Sequence, residues 1–189
     1  MNTNRLEAFS DGVFAIIITI MVLEMKVPHG SGLESLLPLL PVFLSYVLSF
    51  VYIGIYWNNH HHLFQASHSL SGKVLWANLH LLFWLSLVPF TTGWMGENNF
   101  ETVPVALYGF NLLMAGVAYH FLAKKLLSRH DADSVLAKAL EGDRKGKFSL
   151  VIYLCSIPLA FLNNWISMAL FLVVALLWLT PDKRIEKLF

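Results

Sequence analysis

Cysteine and charge are scarce in this sequence. Its 189 residues include one cysteine, Cys155, so neither a disulfide framework nor a thiolate metal site is available within one chain. Charged residues make up 13% of the chain and the formal net charge is +1, which gives no indication of nucleic-acid binding. The sequence also lacks H-E-x-x-H, G-x-S-x-G and a phosphate-binding loop, so no enzyme activity is predicted.

Apolar residues are abundant instead. They make up 57% of the chain, a balance typical of polytopic membrane proteins. A bilayer-spanning helix needs roughly 20 mostly apolar residues. Six stretches approach that length, namely residues 8–25, 37–57, 74–95, 103–127, 148–162 and 165–179. The predicted fold class is therefore all-α, a single domain over residues 1–189 with six transmembrane helices, the last two forming a tight hairpin at Asn163 and Asn164.

The positions of the basic residues predict the orientation. Short cytoplasmic loops of membrane proteins carry an excess of Lys and Arg. All of the basic residues except Lys26 precede the first stretch, follow the last, or lie at or around the connections from two to three and from four to five, where Lys124 and Lys125 form the end of the fourth stretch. Both termini are therefore expected inside. An amphipathic pattern at residues 132–140 is expected to lie on the membrane surface.

The first stretch carries an aspartate near its start. An ionised Asp in a bilayer is costly and needs a partner. At 1.5 Å per residue, Asp11 lies about 9 Å beyond Arg5 and His80 lies about 10 Å beyond Lys73, which predicts similar depths for the two side chains. We therefore expect a buried Asp11–His80 contact that joins helix one to helices two and three, with further members among Asn78, Asn59 and Arg5. A proton relay is the alternative.

Further along the same stretch, one side of the predicted helix is mainly apolar. Spacings of three and four residues place four side chains on one stripe of this helix, namely Ile16, Thr19, Ile20 and Leu23. Asp11 lies roughly 140° around the helix from Ile16, so the carboxylate and the stripe face different neighbours. Asn4 and Glu7 have the spacing of a capping box, which predicts that the helix begins before Asp11. The Thr19 hydroxyl either faces a pore or bonds back to a carbonyl of its own helix.

Two groups of polar residues in the second stretch and after it have plain structural explanations. Adjacent helical residues point about 100° apart, so consecutive histidines cannot all converge on one ion. Interfacial positions rather than a metal site are predicted for His60, His61, His62 and His68. The second stretch also has a polar edge, which either lines a path or packs helices together. It consists of Ser45, Ser49, Tyr52 and Tyr56.

The first helix resembles that of a known channel family. The run R-x-x-x-F-S-D-G-V-F-A begins at Arg5, and it is followed by W-N-N-H-H from Trp57 and W-A-N-L from Trp76. This combination is similar to the endolysosomal potassium channel family, transmembrane protein 175. The single six-helix unit is similar to the prokaryotic members, whereas the animal channels carry two such units in one chain.

The resemblance implies a homotetramer in which four first helices surround a central pore. In that family the Phe-Ser-Asp motif, here Phe9, Ser10 and Asp11, lies in a hydrogen-bond network on the cytoplasmic side. Large apolar side chains of helix one constrict the pore, and the positions that match are Ile16, Thr19, Ile20 and Leu23. The implied permeant ion is K⁺, modestly favoured over Na⁺. No cofactor is expected, the partners are other copies of the chain, the bilayer and monovalent cations, and the location is a prokaryotic plasma membrane.

The residues themselves are compatible with more than one function. Four copies of an Ile/Leu stripe make a narrow hydrophobic constriction that gates by dewetting, and no carbonyl-lined potassium filter is present in the sequence. The alternative is a proton-coupled cation carrier or proton channel in which Asp11 and His80 are protonated in turn. A third hypothesis is a membrane protein that holds haem through histidines.

Overall fold

The computed structural model describes residues 3–65, 71–128 and 144–179. Within these ranges every regular element is helical. The elements are α1 (Thr3–Leu23), a 3₁₀ helix (Leu33–Leu39), α2 (Leu40–Gln65), α3 (Gly72–Ser86), α4 (Val88–Glu97), α5 (Thr102–Leu127), α6 (Arg144–Ala160) and α7 (Asn164–Leu179). Helices α3 and α4 follow one another across Leu87 and correspond to the third predicted span. The predicted all-α, six-helix fold class is therefore confirmed.

The described helices differ in how well they suit a bilayer. Four helical segments are both long and apolar enough to cross it, namely residues 3–23, 33–65, 72–97 and 102–127. Helix α7 is apolar but has only 16 residues. Helix α6 has 17 residues and begins with Arg144, Lys145 and Lys147 near its first turn. The turn between α6 and α7 contains Asn163, whose Oδ1 accepts a hydrogen bond from the Trp165 N–H at 2.9 Å, so the predicted hairpin is confirmed.

The third span is interrupted at Leu87. Pro89 has no N–H, and its ring disfavours helical geometry at the residue before it, so a break here is expected on steric grounds. The hydroxyl of Thr91 lies 3.3 Å from the carbonyl oxygen of Leu87 and 3.2 Å from that of Val88, which satisfies acceptors beside the break. The apolar pattern predicted one continuous span over residues 74–95, because apolar length alone does not register this break. In the structure Pro89 lies in the first turn of α4, where proline is well tolerated.

Two apolar cores hold the helices together. The first joins α1, α2, α3 and α5, and its members include Phe14, Ile17, Met21, Phe64, Leu81 and Leu122. The second joins α2, α5, α6 and α7 with the end of α4, and its members include Met95, Tyr108, Tyr153, Phe171 and Val174. Helix α1 contributes only to the first core. One face of α1 is therefore fixed against α2 and α3.

The polar edge of α2 packs against other helices. The Ser49 hydroxyl lies 2.7 Å from the Thr92 hydroxyl of α4 and 2.9 Å from the Tyr108 hydroxyl of α5. The Tyr52 hydroxyl donates to the Phe171 carbonyl of α7 at 2.6 Å. These bonds support helix packing, the commoner of the two explanations, for this part of the edge.

Several predictions concern residues outside the described part of the chain. They are His68, the amphipathic pattern at residues 132–140, and the basic residues Arg129, Lys138, Lys183, Arg184 and Lys187. Within the described ranges, Lys73 and Lys124 lie at helix ends that are predicted to be inside, and Lys26 follows the opposite end of α1. The orientation of the bundle in the membrane stays a prediction.

Candidate pore helix and its hydrogen-bond network

Helix α1 begins at Thr3, so the Ser-Asp pair lies inside the helix rather than capping it. The Ser10 side chain is completely buried, and its hydroxyl donates to the Leu6 carbonyl at 2.9 Å. A serine that bonds back to its own helix in this way keeps its oxygen lone pairs available as acceptors. Ser10 can therefore accept a hydrogen bond from a neighbouring helix.

Asn78 of α3 supplies that bond. Its Nδ2 donates to the Ser10 hydroxyl at 3.0 Å, and its Oδ1 lies 2.8 Å from Nε2 of His60 on α2. Because an amide oxygen only accepts, His60 carries a proton on Nε2. Nδ1 of His60 is buried and has no hydrogen-bond partner among the described residues. The bonds from Ser10 through Asn78 to His60 thus connect three helices at a point where all three side chains are 0% exposed.

Helix α2 also holds two carboxylates of α1. Trp57 Nε1 donates to Asp11 Oδ1 at 3.0 Å, and His61 Nδ1 lies 2.5 Å from Glu7 Oε1. Gln65 Nε2 donates to Nε2 of His61 at 2.8 Å, so His61 uses Nδ1 as its donor in this arrangement. The indole of Trp57 stacks on the His61 ring, with centroids 6.2 Å apart. Both carboxylates of this turn are therefore hydrogen-bonded.

The expected Asp11–His80 contact is not formed between these described side chains. His80 Nε2 accepts from Trp84 Nε1 of the same helix at 3.0 Å, while Asp11 accepts from Trp57. The similar depths of Asp11 and His80 suggested this contact, but the two side chains do not point toward each other. His80 is two residues after Asn78, so it points about 200° away from the face of α3 that contacts α1.

Other expected members of the network lie elsewhere. Asn59 donates to the Ile55 carbonyl of its own helix at 2.8 Å, and Arg5 is exposed. The predictions missed the roles of Trp57, His60, His61 and Glu7. The sequence spacing could have indicated Glu7, Trp57 and His61. Glu7 lies four residues before Asp11 and Trp57 lies four residues before His61, and residues at this spacing share a helix face.

The predicted constriction residues lie on the exposed face of α1. Ile16 is 57% exposed and Leu23 is 79% exposed, while Phe14 and Ile17, which face the core, are 2% and 3% exposed. The same uncovered face also carries Phe9, Gly12, Thr19 and Ile20. Helix α1 therefore has one side packed by its own chain and one side that this chain leaves free.

Thr19 lies on that free side. Its hydroxyl is 3.1 Å from the Ala15 carbonyl oxygen and 2.9 Å from the Ile16 carbonyl oxygen. The hydroxyl hydrogen is therefore directed at the helix backbone, as in the back-bonding alternative. Because the side chain is exposed, the oxygen lone pairs remain accessible on the free face.

Known channel proteins resemble this chain over most of its length. The family model described as the endosomal/lysosomal potassium channel TMEM175 matches residues 5–89. A protein named as a potassium channel from Chryseobacterium sp. (strain P1-3) is 52% identical over 187 residues, which cover 99% of this chain and 97% of that protein. A protein from Gallus gallus named endosomal/lysosomal proton channel TMEM175 is 43% identical over 76 residues, which are 34% of this chain and 15% of that protein.

A solved structure agrees with these sequence matches. The crystal structure of a lysosomal potassium-selective channel TMEM175 homolog from Chamaesiphon minutus superposes with a TM-score of 0.79 at 33% identity, covering 93% of this chain and 95% of that one. The match extends through both apolar cores and is not confined to the motif. This chain therefore belongs to the TMEM175 family, a family of ion channels and not of enzymes.

Proposed function

We propose that four copies of this chain form a potassium-permeable cation channel, with the free face of α1 lining a central pore. The observation that carries the proposal is the division of α1 into a face packed by its own chain and a face that is uncovered and holds Ile16, Thr19, Ile20 and Leu23. With a fourfold symmetry axis beside this face, each of these residues forms a ring of four side chains, because every subunit contributes the same residue at the same depth. One short chain can then build a complete pore.

The hydrogen-bond network fixes which face of α1 points to the axis. Glu7, Ser10 and Asp11 each bond to α2 or α3, so a rotation of α1 about its own axis breaks three bonds between helices. Such bonds average about 0.6 kcal/mol in a membrane and reach about 1–2 kcal/mol. The motif is thus proposed to orient α1 and to take no direct part in conduction.

The stripe supports a cation preference. Rings of Ile16, Ile20 and Leu23 make an apolar constriction that is dry when narrow and conducts when it widens. Between them, Thr19 presents an oxygen whose hydrogen is already directed at the backbone, so it offers an acceptor to a cation and no donor to an anion. With side chains in place of a carbonyl-lined filter, we expect modest preference for K⁺ over Na⁺. We place the channel in a prokaryotic plasma membrane with both termini inside.

Ion flux into liposomes tests this function. Purified protein is reconstituted, K⁺ and Na⁺ gradients are imposed separately, and each measurement is repeated with a proton ionophore. Passive flux that favours K⁺ is expected, and because net K⁺ movement needs a compensating charge, the ionophore should raise this flux by giving protons a separate path. Leu23→Ala should raise the flux or reduce its selectivity, while Leu162→Ala, at a residue of equal exposure in the α6–α7 turn, should leave both unchanged. Equal behaviour of the two variants contradicts an α1 pore.

Proton permeation is the second candidate. It is supported by the name of the Gallus gallus relative, which matches 34% of this chain. A relay through Asp11 and His80 requires an intermediate carrier such as water, because each side chain is bonded to a separate tryptophan. Proton flux through the protein that persists without K⁺ or Na⁺, and that Asp11→Asn removes, would favour this candidate over passive K⁺ conduction.

A further inference from the structure

A cavity of about 50 Å³ lies among α2, α5, α6 and α7, on the side of α2 away from the motif. Its lining includes Tyr56, Asn59, Gly116, Ser149, Leu150 and Tyr153. None of its lining residues belongs to α1, so it is separate from the free face proposed to form the pore. Among the described residues, no Asp, Glu, Lys or Arg side chain lines it.

Gly116 lies at a close approach between helices in the lining of this cavity. A Cβ atom at Gly116 would stand 2.9 Å from Leu150 Cδ2, 3.6 Å from the Tyr56 hydroxyl oxygen and 3.9 Å from Tyr153 Cε2. One added methyl group would therefore occupy the region where α5 faces α2 and α6. Gly54 of α2 provides a contrast, since a Cβ there would meet nothing within 4 Å.

Two hydroxyl groups of the lining differ in the hydrogen bonds that they make to described residues. The Ser149 hydroxyl donates to the Lys145 carbonyl at 2.8 Å and accepts from Trp178 Nε1 at 2.9 Å. The Tyr56 hydroxyl, by contrast, makes no hydrogen bond to any described residue, although it lines the cavity. A phenol hydroxyl in the lining of a cavity can donate and accept, so it can pair with an occupant that carries a hydrogen-bonding oxygen.

We propose that this cavity binds a small uncharged molecule with an apolar body and one oxygen that pairs with the Tyr56 hydroxyl, the chemistry of a short-chain alcohol. At roughly 10–15 Å³ per water-sized group, the space holds about four such groups. The uncharged lining disfavours an ion, because a buried charge needs an opposite charge or dense hydrogen bonding. The aromatic walls favour an apolar body over a cluster of water molecules.

Saturation-transfer NMR with 1-propanol tests the proposal on the full chain in nanodiscs made from deuterated lipid. Saturable transfer above that of empty nanodiscs is expected for the unmodified protein and for Gly54→Ala. Gly116→Ala should reduce transfer, because its methyl group would stand 3.6 Å from the Tyr56 hydroxyl oxygen and would displace the Leu150 side chain. Tyr56→Phe keeps the shape and loses the hydrogen bond, so the dissociation constant should rise about fivefold.

Two results overturn the proposal. One is transfer from Gly116→Ala that equals transfer from Gly54→Ala, with both variants eluting and melting as the unmodified protein does. The other is transfer that does not saturate, which would mean that only water or lipid occupies the cavity. If Gly116→Ala fails to fold, the dissociation constant of Tyr56→Phe tests the proposal, and an unchanged value overturns it. Since the readout involves no ion flux, a negative result leaves the channel proposal unaffected.

Discussion

Replacing Asn78 with alanine tests the network most severely, because this residue connects three helices. Its amide donates to Ser10 of α1 and accepts from His60 of α2, and all three side chains are 0% exposed. Alanine removes both bonds at once and leaves the His60 Nε2–H without its acceptor. No water is expected to replace the amide fully, because the site is closed on every side by packed side chains.

The expected loss of stability can be worked from these contacts. An unsatisfied buried donor costs about 1–3 kcal/mol, and the second lost bond between helices adds about 0.6 kcal/mol. Asn78→Ala should therefore lower the free energy of unfolding by about 1.6–3.6 kcal/mol. For a chain of this size each kcal/mol corresponds to about 2–4 °C in melting temperature, which predicts a decrease of about 3–14 °C.

Thermal unfolding in detergent, followed by tryptophan fluorescence, measures this decrease. The matched control is Asn98→Ala, since Asn98 Nδ2 donates only to the Trp94 carbonyl of its own helix at 2.8 Å. We expect that variant to melt within about 2 °C of the unmodified protein. If Asn78→Ala and Asn98→Ala shift the melting temperature equally, the network does not join the helices as described.

Three further predictions follow from other contacts. Ile16→Asn should hydrate the constriction and raise ion flux, while Val151→Asn, at a similarly exposed residue of α6, should not; equal fluxes would contradict the stripe. Asp11→Ala should lower the tetramer yield in size-exclusion chromatography and Asp11→Asn, which keeps an acceptor, should restore it; normal assembly of Asp11→Ala would refute this. The hydrogen bond and charge of Glu97 raise the pKa of Lys26 above 10.5, so the stabilisation from this ion pair is complete below pH 10.5 and is lost as pH rises through the raised pKa. The melting difference between the unmodified protein and Lys26→Gln should therefore disappear at high pH and in high salt, and a difference that persists there would exclude the ion pair as its cause.

The sequence predicted those features that depend on length and periodicity. Apolar stretches of membrane length located the described α-helices, with α3 and α4 as one span, but not the 3₁₀ helix Leu33–Leu39. Two adjacent asparagines located the α6–α7 turn. Helical spacing placed Ile16 and Leu23 on one side of α1, and the structure leaves that side exposed. Both kinds of signal are local, because they depend on residues within one helix.

Features that depend on how one helix faces another were not predicted. Asp11 and His80 were matched by depth, but the rotation of α3 directs Asn78 toward α1 and His80 away from it. Likewise, the run of three consecutive histidines does not indicate which of them faces the core. In the structure His60 faces the core and His61 contacts Glu7. Rotational setting is decided by packing between helices, which is a non-local property.

Cysteine accessibility measures the central claim most directly, that the free face of α1 lines the pore. In a Cys155→Ser background, Leu23→Cys and Leu162→Cys are compared, since these two residues are 79% and 80% exposed but only Leu23 belongs to α1. A water-soluble, positively charged thiol reagent is added to liposomes during K⁺ flux. The account predicts block of the Leu23→Cys channel and unchanged flux through the Leu162→Cys channel. Unchanged flux through Leu23→Cys, with the thiol shown to be modified, would contradict it.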